Sequence, residues 1–456
     1  MASARKKKSR RTRSGTPPGT PAAQPAADPP PPPPSRRTRR FRLLAIGLGL
    51  LVAWGIPELV VRIANPPLQA YRAIAFGGDP NSEKLFMKDW RLHWKLRADV
   101  ETTFREVTVR TDHHGFRSDE PVPGRRVVLC LGDSTPFGYR VGQQDPFPAR
   151  LQTRLNKTGE PEWSVLNAGV PGYTSHQIRR QAEELVPRWK PSVIVVCVGN
   201  NEAWPVERSD RQLDTDRAVT GRIVSVLSAS RFLVWAAEKV RREEPRPFIA
   251  PTLDHAVPRV SLDEFGENLR AIAQLARDSG ARLVLLSPPV NLYWPPMRFN
   301  QFEGWEEWQA LYTRLQELRG AGEGEKVTEL ARAALAAHPD SFYALWINGM
   351  VQTDLGDIDG GRELLEQAIE HHAFPENCRR SYRRVVARIA GEEQAAFLDV
   401  NELLRHQAKG PVPQALYLDW CHPTAEGHGY IAEALAHILA GKRDGASPPP
   451  PPQNNE

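Results

Sequence analysis

Two stretches far apart in the chain hold residue types that work together in covalent catalysis. Leu131-Gly132-Asp133-Ser134 follows the apolar run Val127-Val128-Leu129-Cys130, so a buried strand would deliver a serine into a tight turn. A serine hydroxyl is a weak nucleophile until a base takes its proton. Asp419-Trp420-Cys421-His422-Pro423 supplies an Asp-x-x-His pair that one short loop can hold. The carboxylate fixes the imidazole tautomer through one ring nitrogen and leaves the other to face serine. The expected chemistry is formation of an acyl-enzyme on Ser134, with His422 as base and Asp419 as its orienting acid.

Two further segments lie between these ends. Val165-Leu166-Asn167-Ala168-Gly169-Val170-Pro171-Gly172-Tyr173-Thr174 contains one apolar run, and Val196-Cys197-Val198-Gly199-Asn200-Asn201-Glu202 follows another. In this order the four blocks resemble the SGNH (GDSL-type) hydrolase superfamily of esterases, lipases and carbohydrate deacetylases, across residues 110 to 440 with one interruption. The resemblance implies Ser134 as nucleophile and an oxyanion hole of the Ser134 amide, the Gly172 amide and the Asn201 side chain. It also implies a triad completed by Asp419 and His422. Preorganised donors aimed at the developing oxyanion are often the largest single catalytic contribution. Glycine at 172 lets the backbone turn and approach substrate without a side chain in the way. The third block departs from the family's usual Gly-x-Asn-Asp, with Glu202 in place of the second acid. O-acetyl groups on polysaccharide are an implied substrate class, with lipid acyl chains and small esters open.

Positioning such a site takes several strands that end together. Five apolar runs bounded by turn residues predict strands at 126–131, 164–168, 192–198, 282–287 and 395–400, with the near-continuous apolar character of strands buried on both faces. Helical stripes separate them: Phe147, Leu151 and Leu155; Ile178, Ala182 and Leu185; and Leu262, Phe265, Leu269, Ile272 and Ala276, ending before Gly280. The alternation predicts an α/β domain with a doubly wound parallel five-stranded sheet, three-layered and flavodoxin-like, carrying an α-helical insertion. Ligands in such sheets bind beyond the carboxyl ends of the strands.

Composition places the rest of the chain. Residues 1–42 hold twelve Lys or Arg against one acid and the run Pro29 to Pro34, so this tail is expected to be disordered. Its excess exceeds the whole-chain net charge of +6, which leaves the remainder net acidic. The high pI therefore does not indicate nucleic-acid binding. Leu43 to Ile56 carries no charge, and 43–63 is just long enough for a membrane span, which takes about 20 residues. Dense basic charge in front and a single arginine just behind predict a cytoplasmic N-terminus and a periplasmic or extracellular remainder. A cleaved signal and a buried soluble helix are the competing readings. The long basic tail and the lack of a small-x-small site argue against the first. Residues 64–110 read as a linker or accessory segment, 111–318 and 391–442 as the hydrolase domain, and 443–456 as a second Pro-rich tail.

The interruption, 319–390, is helical in character. Ala344-Leu345-Trp346-Ile347-Asn348-Gly349, Leu355-Gly356-Asp357 and Ala368 resemble one tetratricopeptide unit, and Ala334 and Ala368 are 34 residues apart, the period of that repeat. Gly361 stands where a small alanine is usual. Stacked repeats need about three units to stand alone, so these helices are expected to lean on the hydrolase domain. They either cap the substrate cleft or dock a protein partner. A second segment, Pro205 to Val260, follows the Asn201 loop and is a lid candidate. Trp204 and Trp420 are candidates for stacking on a sugar ring, and Arg117, in a Gly-Phe-Arg element, is expected to be structural. Four scattered cysteines make no disulfide framework. No metal-ligand spacing emerges, since His113-His114 and His371-His372 point apart on regular elements, and no cofactor is expected. The reaction is read as ester hydrolysis, with acyl transfer to a hydroxyl acceptor by the same triad and a scaffold role through the helices as alternatives.

Overall fold

The computed structural model describes residues 36–64, 79, 81–89, 91–157, 162–217, 230–240, 256–295, 305–372, 375 and 377–441. Residues 1–35 of the basic tail and the C-terminal Pro-rich tail lie outside the described residues. The chain divides into two compact units, Met1–Leu59 and Val60–Glu456. In sequence the helix Arg36–Ala64 runs across this boundary, and its Leu44–Ala64 stretch of 21 residues has a mean hydropathy of 2.1. Leu44, Leu48, Leu51, Ile56 and Leu59 are all exposed. By length and composition this helix is able to cross a membrane.

The second unit opens with a one-turn helix, Ser82–Leu85, and two antiparallel hairpins. These are β1 (Phe86–Asp89) with β2 (His93–Leu96), and β3 (Glu101–Phe104) with β4 (Val107–Arg110). Leu85, Phe86, Leu96, Phe104 and Val109 from this stretch are buried in the main core. The stretch read as a linker or accessory segment therefore holds packed structure over its described residues from 81 onward. Its short strands lack the longer alternation that would have marked them in sequence.

The central sheet is built from β5 (Arg126–Gly132), β6 (Trp163–Asn167), β7 (Val193–Cys197), β10 (Arg282–Leu286) and β11 (Ala396–Leu398), in the order β11-β10-β7-β5-β6. A two-residue pair, β8 (Pro205–Val206) and β9 (Val257–Pro258), stands apart. Every neighbouring pair in the central sheet is parallel. The alternation of strand residues sorts them to two faces. Leu129, Leu131, Ile194, Val196 and Leu285 join one apolar core with the helices Ser175–Trp189 and Leu262–Ser279. Val128, Cys130, Val195, Cys197 and Val284 join the other, with Phe147, Leu151, Leu404, Ile431 and Leu435. Each fully buried leucine contributes roughly 1.5–3 kcal/mol by leaving water. The fold is the doubly wound five-stranded sheet between helical layers.

Local signals set the helix ends. Helix Leu262–Ser279 begins where the Ser261 hydroxyl accepts from Glu264 N, and it stops at Gly280 with φ +69°. The last expected strand, 395–400, is shorter because Asp399 turns the chain. Its carboxylate accepts from Asn401 N and Glu402 N and starts the helix Val400–Gln407.

The inserted helices are Trp305–Gly320, Gly324–Ala337, Phe342–Asp354 and Ile358–His371. Leu318, Val327, Ala331, Leu345, Trp346 and Leu365 form their core, and Tyr293 of the hydrolase loop packs into it. Gly361 reflects close approach of two helices: a Cβ there would lie 2.7 Å from Gly349 O. The helix Arg380–Glu392, expected within the insertion, instead packs on Leu262–Ser279 and gives Tyr382, Val386 and Ile389 to the main core.

Candidate active site

Three adjacent parallel strands end at one edge. In their register Cys130 faces Asn167, and Gly132 faces Cys197. Ser134, Gly172 and Asn201 thus all follow the carboxyl ends of the strand trio β6-β5-β7. Gly132 sits in a left-handed conformation, φ +155°, and a Cβ there would collide with Cys197 O and lie 2.5 Å from Pro136 Cγ. Only glycine lets the chain turn here and start the one-turn helix Ser134–Phe137, capped by Asp133, which accepts from Thr135 N at 2.8 Å. Burial raises the Asp133 carboxyl to about 6.

The Asp419–His422 turn meets this serine. His422 Nε2 lies 2.7 Å from Ser134 Oγ, and His422 Nδ1 lies 2.8 Å from both Asp419 carboxylate oxygens. Asp419 Oδ1 also accepts the backbone N–H groups of Cys421 and His422, each at 3.0 Å. Burial raises the Asp419 carboxyl, but His422 and these N–H groups outweigh it and hold the group below the usual range. All three side chains are buried. In this arrangement Nδ1 faces the acid and Nε2 faces the serine hydroxyl, the orientation that a serine-activating imidazole requires.

Gly172 has φ +78°, a conformation that favours glycine. Its carbonyl accepts from Arg259 Nη1 at 2.8 Å, and Pro171 O before it accepts from Trp94 Nε1 at 3.1 Å. Asn201 Nδ2 donates one hydrogen to Tyr173 O at 3.0 Å, which leaves its second N–H for another acceptor. Glu202, the departure from the family pattern, accepts from Ser175 N at 2.7 Å and Asn201 N at 3.1 Å. The longer side chain ties the Asn201 turn to the Gly172 turn. Burial lifts this carboxyl to about 8 against the downward pull of the Ser175 N–H.

Arg117 is buried and donates to Phe137 O at 3.0 Å, Gly138 O at 2.6 Å and Val141 O at 2.7 Å, so it braces the chain leaving the serine turn. Several neighbours of the site carried no local signal. Tyr139 stacks on the His422 ring at 4.4 Å between centroids. Asn291 donates from Nδ2 to Asp419 O at 3.0 Å and from its backbone to Trp420 O at 2.8 Å. Arg259 pairs with buried Asp210 at 2.9 Å. These residues reach the site from other loops, and only a long-range contact could have marked them.

The Trp420 ring stands 6.0 Å from that of His422, whereas Trp204 is half-buried and its carbonyl accepts from Arg259 N. His371 is exposed and His372 is buried, and His113 lies on the surface beside Asp99 and Glu120. All four cysteines are free and buried.

The fold and these turns define a three-layer α/β hydrolase with a Ser-Gly-Asn-His block order. The family model described as the GDSL-like lipase/acylhydrolase family matches residues 130–350, which contain the first three blocks. Residues 130–350 are thus similar to that family of lipases and acylhydrolases, and the chain is an ester hydrolase of SGNH type. A comparison with curated protein sequences finds no match. Among solved structures the chain is similar to TesA, at 15% identity and a TM-score of 0.34 over 70% of this chain and 100% of that one. It is also similar to Axe2, an acetylxylan esterase from Geobacillus stearothermophilus, at 18% identity and a TM-score of 0.35 over 69% of this chain and 94% of that one.

Proposed function

We propose that the chain is a serine esterase that forms an acyl-enzyme on Ser134 and releases the acid to water. The observation that carries this reading is the 2.7 Å approach of His422 Nε2 to Ser134 Oγ, with Asp419 at 2.8 Å behind the same ring. Ser134 Oγ bonds to the ester carbonyl carbon as its proton passes to His422 Nε2. The oxyanion faces the amides of Ser134 and Gly172 and the second N–H of Asn201. Collapse breaks the ester bond, and the leaving alkoxide takes the proton from His422. Water then attacks the acyl-enzyme with His422 again as base, and Ser134 recovers its proton. Asp419 keeps the tautomer and steadies the imidazolium without taking a proton.

The same reading anchors the enzyme through Leu44–Ala64, with the basic tail in the cytoplasm and the catalytic unit outside it. The length and hydropathy of that helix support this. A C-terminal tag that stays protected from protease in intact spheroplasts would overturn it.

The chemistry is tested on the full chain in detergent by following release from acetyl, butyryl and octanoyl p-nitrophenyl esters, with Ser134→Ala alongside. Steady turnover should fall about 10⁴-fold or more in the variant while the melting curve is kept. A burst that stalls until a hydroxyl acceptor is added would make the protein an acyltransferase instead. No serine-dependent turnover would leave the scaffold reading of the helices.

A further inference from the structure

The turn that carries Gly172 runs directly into the helix Ser175–Trp189, and a second helix, Asp210–Arg217, is bonded to that junction. Asp210 and Asp214 share one face of the second helix. Asp210 accepts from Thr174 Oγ1 at 2.7 Å and pairs with Arg259. Asp214 Oδ2 lies 2.5 Å from His176 Nε2 and 2.7 Å from Arg180 Nη2, and its Oδ1 lies 3.0 Å from His93 Nε2. The other ring nitrogen of His176, Nδ1, is 3.1 Å from Glu264 Oε1, an oxygen that also pairs with Arg211 Nε at 3.4 Å. His176 and Glu264 are buried, and only 11% of the Asp214 side chain is exposed.

Both nitrogens of His176 thus face carboxylate oxygens. An ionised carboxylate only accepts, and a neutral imidazole carries one N–H, so a neutral ring would turn a lone pair toward one of the two acids. The imidazolium donates to both. Burial favours the neutral ring, but the hydrogen bonds to Asp214 and Glu264 outweigh it and raise the group above its ordinary value, against the opposing charge of Arg180. Burial likewise raises the Asp214 carboxyl, and His176, His93 and Arg180 outweigh it and hold the group well below the usual range. The charged groups that face the ring are therefore Asp214, Glu264 and Arg180, with Arg211 and His93 behind the two acids.

His176 stands four residues beyond Gly172, in the first turn of the helix that continues the Gly172 loop. Whatever fixes that turn fixes the direction of the loop amides, and a misplacement of about 1 Å at a catalytic group can cost on the order of 10²-fold in rate. We propose that His176 is a positioning residue for ester hydrolysis: as an imidazolium clamped between Asp214 and Glu264 it aims the Gly172 turn, and loss of its proton releases that aim. The proposal rests on the reading of Gly172 as an oxyanion donor.

The test follows kcat and KM for p-nitrophenyl acetate against pH on the full chain in detergent, together with NMR of histidine labelled at Cε1, the His176 resonance being assigned by its loss in His176→Gln. That resonance should titrate above the ordinary histidine range. Over the same interval kcat should fall about tenfold or more with KM unchanged, because the oxyanion forms only after substrate has bound. Asp214→Asn removes one facing charge and should move both the resonance and the kcat limb to lower pH by about one unit or more. Arg180→Gln removes the opposing cation and should move both the other way. Glu202, a second buried group near the turn, is separated by Glu202→Gln, which should leave the limb in place. Titration of His176 at or below the ordinary value would overturn the proposal. So would a kcat limb that follows Glu202→Gln and ignores both Asp214→Asn and Arg180→Gln, or a His176→Gln protein with parental kcat at every pH. Turnover that does not depend on Ser134 would instead remove the esterase reading and the positioning role with it.

Discussion

On the Ser134 side of the site, Arg117, Asn167, Glu202 and Arg259 reach backbone atoms of the turns through buried or partly buried hydrogen bonds. On the His422 side, the imidazole stacks on Tyr139 and lies edge-on to Trp420, and the Asp419–His422 turn takes two hydrogen bonds from Asn291. The two sides face different tolerances. An oxyanion donor is useful only when aimed at one point, and directional bonds to the backbone supply that aim. An imidazole that takes and returns a proton needs its ring plane held, which stacking does without fixing every atom.

The largest expected effect tests the polar side. Arg259→Met would leave the Asp210 carboxylate buried without its guanidinium, and breaking a buried pair costs about 3–5 kcal/mol. The urea midpoint should fall, and kcat should fall with it because Gly172 O loses its donor. Unchanged stability would show that this side is not held by the pair.

Next comes Asn201→Ala, which should lower kcat by about 10²–10³ with little change in unfolding. A rate within tenfold of the parent would remove Asn201 from the oxyanion hole. Tyr139→Leu keeps apolar volume but loses the stacked ring, which is worth about 1 kcal/mol, or roughly fivefold in kcat/KM. A loss as large as that of Asn201→Ala would erase the distinction between the two sides.

The last test reads a slope rather than a single value. Glu202 titrates near 8 in the folded chain against 4.5 for a free side chain, so between these values only the folded state keeps the proton. Stability from this group is therefore present at acid pH and lost as pH rises from about 4.5 to 8. Glu202→Gln has no such titration, so the melting temperature of the parent relative to the variant should decline across that window. A gap that stays constant with pH would mean that Glu202 keeps one charge state throughout.

Much of the frame was legible in the residues. The five runs that predict strands are the five strands of the central sheet, because parallel strands covered on both faces must be apolar on both. The shortfall at 395–400 came from Asp399, whose capping carboxylate competes with strand continuation. The hairpins before Arg110 escaped notice because four-residue strands carry too little pattern, and Arg380–Glu392 was grouped with the insertion because sequence does not reveal which core an apolar stripe enters. Residues for the site divide in the same way. Gly132, Ser134, Gly172, Asn201 and the Asp419–His422 pair each stand in a local block, whereas Tyr139, Asn291 and Arg259 act only through contacts far along the chain.

By itself the sequence determined the strand and helix order, the turn chemistry at Gly132 and Gly172, and the Asp-x-x-His spacing, since each is a matter of neighbours within a few residues. Tertiary structure alone decided what holds those turns: Arg259 donates to Gly172 O across 87 residues and Asn291 to Asp419 O across 128. It also decided that the inserted helices bring Phe342 and Trp346 into one cleft with Trp420. The physical reason is that local backbone preference is written in adjacent residues, while a hydrogen bond or ring contact between distant segments exists only after the cores have packed and fixed their separation.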